Sequence, residues 1–308
     1  MNCLSLTSTI NNSKISKNIK NENMRRALQF IKSVKYLGLL GLPMLISDWY
    51  VWKFFWLFGI LEVLLTFPVT TQSLCQLAGM IYTPNRYRPL PDKNNFIPKI
   101  KYSLPFKGSW VAVNRGAAKE TSHSWSINSQ RYAYDFIMLN EEGKSFSGSG
   151  ISVSDYFCYG KEILAPADGI VVKVKTDCKD SIVMGNGKAD PLIKDIRGNY
   201  IIIRHADNEY SGLAHLKPEN IIVSKGQYVK RSQLIALCGN SGNTSEPHLH
   251  FQVQNGNSFF TSAGLPIHFE NIEAISCPNY SKYDKRPLND TDNIDTDFIS
   301  REQSVINI

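Results

Sequence analysis

The chain is short of the residues that several common architectures require. Its six cysteines (Cys3, Cys75, Cys158, Cys178, Cys238 and Cys277) are scattered, and no two form a Cys-x-x-Cys pair. This excludes a disulfide-dense scaffold and a thiolate metal site, and leaves free thiols as the expectation. Acid is scarce at the N-terminus, where seven Lys and Arg up to Lys35 face only Glu22. No zinc-finger spacing or aromatic RNA-binding signature accompanies that basic block, so nucleic acid is not expected as a partner. Between residues 100 and 275 there is no long amphipathic helical periodicity and no internal repeat, which argues against a helical bundle or a solenoid.

What is present is unevenly spread. The formal net charge is +7, concentrated near the N-terminus, and 43% of the 308 residues are hydrophobic. Residues 1–35 read as a basic, disordered arm. Residues 36–82 are strongly apolar. A first run around Pro43 ends at Asp48 and Lys53, and a second runs from Phe54 to Tyr82 with Glu62 its only charge. A span needs about 20 apolar residues, so this region is expected to form one or two transmembrane helices, with the membrane as a partner. Five prolines (Pro84, Pro89, Pro91, Pro98 and Pro105) mark residues 83–107 as a linker. Residues 276–308 read as a polar, acidic tail.

Residues 108–275 carry short β runs punctuated by Gly, Asn, Asp and Pro. Examples are Gly169–Lys175, Tyr200–Arg204, Asn220–Ser224, Gln233–Cys238 and His248–Val253. Runs this short and frequent predict a mainly β domain, an antiparallel sandwich or barrel, behind the helical membrane segment.

The chain has six histidines. In the run His248-Leu249-His250, strand alternation puts both imidazoles on one face and Leu249, Phe251 and Val253 on the other. Neutral imidazole is a common zinc ligand, but the pair alone leaves a metal site and a structural role equally open. Asp135 stands in an apolar, aromatic run, where a carboxylate is costly to bury unless paired or metal-bound. His123 lies upstream in Thr121-Ser-His-Ser-Trp125, and His215 ends a strand-like run before a turn. His205, His268 and the Asp168-Gly169 turn read as structural, and Trp125, Tyr132 and Tyr134 read as core before groove.

Four ordered segments carry a resemblance. They are Gln130-Arg-Tyr-Ala-Tyr-Asp-Phe136, Leu164-Ala-Pro-Ala-Asp-Gly-Ile-Val-Val172, Ala214-His-Leu216, and Gly239-Asn-Ser-Gly242 leading to Pro247-His-Leu-His-Phe251. They resemble the lysostaphin-type zinc endopeptidases, peptidoglycan hydrolases with a His…Asp and His-x-His zinc site. The resemblance covers residues 105–275. It implies that His123, Asp135 and His250 bind Zn2+, that His215 and His248 are catalytic, and that the substrate is a peptidoglycan peptide. Many members place the first His only a few residues before the Asp. Here the two are twelve apart, so His123 is the ligand to test first.

Two His and one Asp leave a fourth zinc position for water, whose pKa the metal lowers towards about 7. The competing expectation is a non-catalytic scaffold or activator on the same fold. A biotinyl or lipoyl carrier also shares the Ala-Pro-Ala-Asp-Gly hairpin, but no Met-Lys stands at its tip. Basic residues on both sides of the apolar region favour a hairpin with both ends in the cytoplasm. Wall-directed chemistry instead places the catalytic domain outside the cell membrane, and that is the expectation kept.

Overall fold

The computed structural model describes residues 35–46, 50–114, 124–185, 187–190, 193–287 and 298–308, with Asn23 and Ser122. The basic arm falls outside the described residues apart from Asn23 and Lys35. A 3-10 helix over Lys35–Leu45 precedes helix α1 (Tyr50–Arg86). The segments Tyr50–Leu61 and Thr66–Arg86 of α1 are bent by 69°. Pro68 explains the position of the bend. It has no N–H for the Leu64 carbonyl one turn back, and its ring crowds that carbonyl. Among the described residues no single helix is long and apolar enough to cross a membrane, but the bent pair together has the required length and composition.

The rest is β structure. The strands are β1 (Trp110–Asn114), β2 (Tyr134–Ile137), β3 (Glu162–Leu164), β4 (Gly169–Lys175), β5 (Asn199–Ala206), β6 (Glu209–Leu216), β7 (Tyr228–Val229), β8 (Leu234–Leu237), β9 (Leu249–Gln254), β10 (Ile272–Ser276) and β11 (Gln303–Asn307). A single turn of helix, α2 (Tyr280–Tyr283), separates the last two. Nine strands form one sheet in the order β10-β11-β1-β2-β9-β6-β5-β4-β7, and β3 pairs with β8 in a second. The named ladders are all antiparallel, as expected for a mainly β domain.

The core lies beneath the large sheet, where Ile201, Ile203, Leu213, Leu249 and Phe251 meet Ile163, Ile235 and Ala236 of the small one. Full burial of each large apolar side chain contributes about 1.5–3 kcal/mol before the entropy of ordering it. Phe106 stacks on Trp110 at 4.7 Å and meets Phe136 edge-on at 5.0 Å, fixing β1 and β2 to that core.

Four of the five predicted β runs are strands; Asn220–Ser224 is not. It lies between a turn with Glu219 at φ +60° and the turn Ser224–Gln227, and Ile222 N–H to the Ile235 carbonyl (3.0 Å) is its one backbone bond to β8. Two turns so close leave no length for a ladder. The core also takes in Tyr102, Leu104 and Phe106, so packing begins ahead of residue 108. At the other end, residues after 275 supply β11, which pairs with β1 and β10 and buries Val305. Two adjacent apolar residues, Val305 and Ile306, in a short, otherwise polar run are a weak strand signal, and the sheet edge of β1 completes it. The five cysteines among the described residues are free, with Cys158 and Cys238 buried.

Candidate metal centre and its cleft

Strand β9 sets the geometry. Leu249, Phe251 and Val253 enter the core, while His250, Gln252 and Gln254 occupy the opposite face. Asp135 on β2 is the cross-strand partner of His250, so the two share that face. His250 Nδ1 lies 2.9 Å from Asp135 Oδ1, and His248 Nε2 lies 3.7 Å from the same oxygen. The other carboxylate oxygen accepts from Asn114 Nδ2 at 2.7 Å, across the irregular β1–β2 register. His250 Nε2 faces the Gln252 side-chain amide oxygen, Oε1, at 2.9 Å.

His215 reaches the site by a different route. Ala214 is the cross-strand partner of His250, so regular alternation would send His215 to the opposite face with Leu213. Instead His215 has φ +62°, and both Leu213 and Leu216 are buried in the core. The left-handed conformation costs a residue with a Cβ about 1–2 kcal/mol. Three bonds hold it. His215 N–H donates to the Arg197 carbonyl (3.1 Å), its carbonyl accepts from Gly239 N–H (3.1 Å), and Nδ1–H donates to the Ser241 carbonyl (2.8 Å). The His215 ring thereby comes to 4.6 Å from His248 and 5.9 Å from His250, centroid to centroid.

Tautomers follow from the acceptors. A carbonyl oxygen only accepts, so Nδ1 of His215 and Nδ1 of His248 (2.9 Å from the Glu246 carbonyl) carry their protons. In a neutral ring so oriented, Nε2 is the nitrogen left with the lone pair. Burial, reinforced by the neighbouring His248 and His250, holds the His215 pKa well below its usual value, so its ring is neutral. For His250 burial also works against charge, but the hydrogen bond and charge of Asp135, helped by Gln252, outweigh it and raise the pKa.

These four residues line a cleft of about 440 Å³. The structure thus brings together Asp135, His215, His248 and His250. His123 lies outside the described residues, and among those described no group of three His, Cys, Asp or Glu stands ready to hold a metal ion. The residues present do fit zinc. Asp135 and His250 are a buried carboxylate and imidazole in contact, and Gln252 fixes the far nitrogen of that imidazole, as outer partners of metal-bound histidines do.

The residues read as structural are so placed. His205 is bound through Nδ1 to the Asp168 carbonyl and through Nε2 to Ser211 Oγ, both at 2.7 Å. Asp168 is a turn residue whose carboxylate accepts from Arg231 N–H and Tyr228 Oη. His268 packs on Phe298 at 4.9 Å. Tyr132 and Tyr134 are buried, and Trp125 is half-buried against Tyr132. Three contributors were not foreseen: Asn114, Gln252 and, from α1, Gln76, which lines the cleft. Gln252 continues the period-two face of His248 and His250 and was visible on that ground. Asn114 and Gln76 come from distant segments with no local signal.

Residues 149–261 match the model of Peptidase family M23. That stretch contains His215, His248 and His250 and begins after Asp135. Over 86 residues, 27% of this chain and 20% of the relative, the sequence is 44% identical to the peptidoglycan DD-endopeptidase ShyB of Vibrio cholerae. Over 153 residues, 49% of this chain and 35% of the relative, it is 32% identical to the murein hydrolase activator NlpD of Salmonella typhimurium. The chain therefore spans only a fifth to about a third of the length of these relatives. Lysostaphin of Staphylococcus simulans is similar at 19% identity and a TM-score of 0.31, over 53% of this chain and 51% of that one. The order of the motifs and the family match agree over the part of the chain they share: residues 149–261 match a peptidase domain of family M23.

Proposed function

We propose that the protein is a membrane-anchored zinc metalloendopeptidase that hydrolyses peptide bonds in peptidoglycan stem peptides or cross-bridges. The observation that carries this reading is the convergence of Asp135, His250, His248 and His215, with the proton of each catalytic imidazole fixed away from the cleft. Asp135 and His250 would hold the zinc, with His123 as the third ligand. Zinc, when bound, supplies Lewis acidity for the amide carbonyl and lowers the pKa of water to about 7.

The chain's own residues do the rest. Glu246 keeps the His248 Nδ1 proton turned away, so in the neutral ring Nε2 is the nitrogen that would take the proton from the attacking water. His215, held the same way by Ser241, offers its Nε2 on the other side of the cleft, to carry a proton to the leaving amine or, once protonated, to donate to the oxyanion. Asn114 and Gln252 keep Asp135 and His250 in place.

The similarity to NlpD supports a second reading, an activator of other wall hydrolases that does not itself cut. One experiment separates the two: zinc content together with release of new amino termini from purified peptidoglycan. The hydrolase reading expects about one zinc per chain, and loss of both zinc and cleavage on Asp135→Asn or His250→Ala. Full zinc with no cleavage of any wall fraction favours the activator. We place the cleft on the outer side of the cell membrane. Protease accessibility of the domain in intact cells tests this, and a cytoplasmic domain would overturn the wall-hydrolase reading.

A further inference from the structure

We infer that the second half of α1 is part of the catalytic apparatus, with Gln72 a positioning residue for His215 and Gln76 a contact for the substrate's main chain. This rests on the hydrolase reading and goes beyond it, because it makes the N-terminal helix one wall of the site as well as an anchor.

From Thr66 onward α1 lies against the β domain. Gln72, Gln76, Gly79, Met80 and Thr83 recur at intervals of three and four, and so share one helix face. That face is fixed at several points. Asn128 Nδ2 donates to the Met80 carbonyl (3.1 Å), and Thr83 Oγ1 donates to the Thr261 carbonyl (3.1 Å). Gly79 abuts the Phe260 carbonyl so closely that a Cβ there would collide with it. The helix has no freedom to slide against the cleft while these contacts hold.

Gln72 binds the backbone with both ends of its amide. Nε2 donates to the Lys194 carbonyl (2.9 Å), and Oε1 accepts from Ile196 N–H (2.8 Å). The same short segment holds the catalytic loops. The Ile196 carbonyl accepts from Asn243 N–H (2.9 Å), and the Arg197 carbonyl accepts from His215 N–H (3.1 Å). Gly198, at φ +65°, packs on the Ser241 backbone, and Ser241 is the residue that orients the His215 ring. Two paths therefore run from Gln72 to His215, one through Arg197 and one through the 241–243 turn. His215 sits in a left-handed conformation that only such external bonds maintain. A shift of the 194–198 segment is thus transmitted to the His215 imidazole.

Gln76, one turn further on, lines the cleft that holds the four site residues. Its amide has both donors and an acceptor, which suits the alternating N–H and C=O groups of an extended peptide.

The test uses the whole 308-residue chain, zinc-loaded and in detergent, and a soluble stem-peptide substrate. Gln72→Leu is expected to lower kcat by about tenfold or more, the size usual for an outer partner, with KM within about twofold and zinc content unchanged. Gln72→Glu keeps the acceptor for Ile196 and should recover part of that loss. Gln76→Ala is expected to raise KM about fivefold with kcat near the wild-type value, the signature of lost uniform binding. Ser73→Ala, on the outward side of the helix, serves as the control and should change neither. Wild-type kcat in both Gln72 variants, or a wild-type KM in Gln76→Ala, would overturn the respective assignment. If Gln72→Leu does not fold, Gln72→Glu alone decides, since a lone structural role predicts unchanged kcat in every folded variant. A wild-type chain that cuts nothing would refute the hydrolase reading instead. Binding of the same peptide, weakened in Gln76→Ala but not in Ser73→Ala, would then still decide the Gln76 contact.

Discussion

Strand β9 and the second half of α1 are both two-faced, but they turn opposite faces to the β domain. On β9 the inward residues are apolar, with Leu249 and Phe251 at 0% exposure, and the outward ones are the polar site residues. On α1 the inward residues are, apart from Met80, small or polar, Gly79 and Thr83 among them. The outward ones are Leu74, Leu77 and Ile81 at 54–65% exposure. Apolar burial organises β9. The contact of α1 with the domain is organised by close backbone approach and hydrogen bonds, the kind of interface selected where the surroundings are themselves apolar. This contrast supports the proposal that the outer face of α1 lies in lipid; on that proposal the cleft would lie beside the anchor rather than at the end of a free tether.

The comparison can be broken at five points. The largest effect is expected at the polar face of β9 and its partner strand. His250→Ala or Asp135→Asn should abolish zinc binding and cut hydrolysis at least about a thousandfold, as several kcal/mol of charge stabilisation disappear. Metal analysis and wall-digestion assays check this, and chelation followed by zinc should reproduce and then reverse it. Next, on the apolar face, Phe251→Ala should destabilise the domain by about 3–5 kcal/mol, read from the denaturation midpoint, because its cavity is lined by packed core.

Gln252→Ala should weaken zinc affinity about 10–100-fold while leaving the fold intact, measured by competition with a chelator. A pH effect is expected from a residue outside the cleft. Burial pulls the His205 pKa down from 6.5 to about 4, although its bond to the Asp168 carbonyl opposes this. The unfolded chain therefore takes up a proton in this window that the folded one refuses, and stability present above pH 6.5 is lost as pH falls towards 4. The size is roughly 1–2 kcal/mol after allowance for the ring's partial exposure, and His205→Gln should flatten that slope in pH-dependent melting. The smallest effect is expected on α1. Leu77→Ala in detergent should change domain stability by no more than about 0.5 kcal/mol, since it makes no core contact to lose. A loss as large as that of Phe251→Ala would mean that the outer face of α1 is covered by protein.

Much of this was legible in the residues. The His248-Leu249-His250 alternation, the buried carboxylate of Asp135 and the apolar strand faces follow from a period of two, which any extended segment obeys. The antiparallel sheet followed from the length and punctuation of the β runs. The run Asn220–Ser224 misled because its composition suits a strand, whereas its flanking turns allow no ladder. Strand β11 was missed because a short polar run acquires its structure only from the edge of β1.

The amino-acid order thus determined which face of β9 carries the candidate site and which residue types would meet there, since side-chain alternation is a local property of the backbone. The tertiary structure decided the placement of His215. Its strand would turn the ring to the core side, and only the bonds from Arg197, Gly239 and Ser241 hold it in the left-handed conformation that swings it into the cleft. It also decided that Gln76 of a distant apolar helix borders that cleft and that Gln72 binds the 194–196 backbone beside it. Contacts between segments more than a hundred residues apart are set by packing and by the satisfaction of backbone groups, which no local pattern encodes.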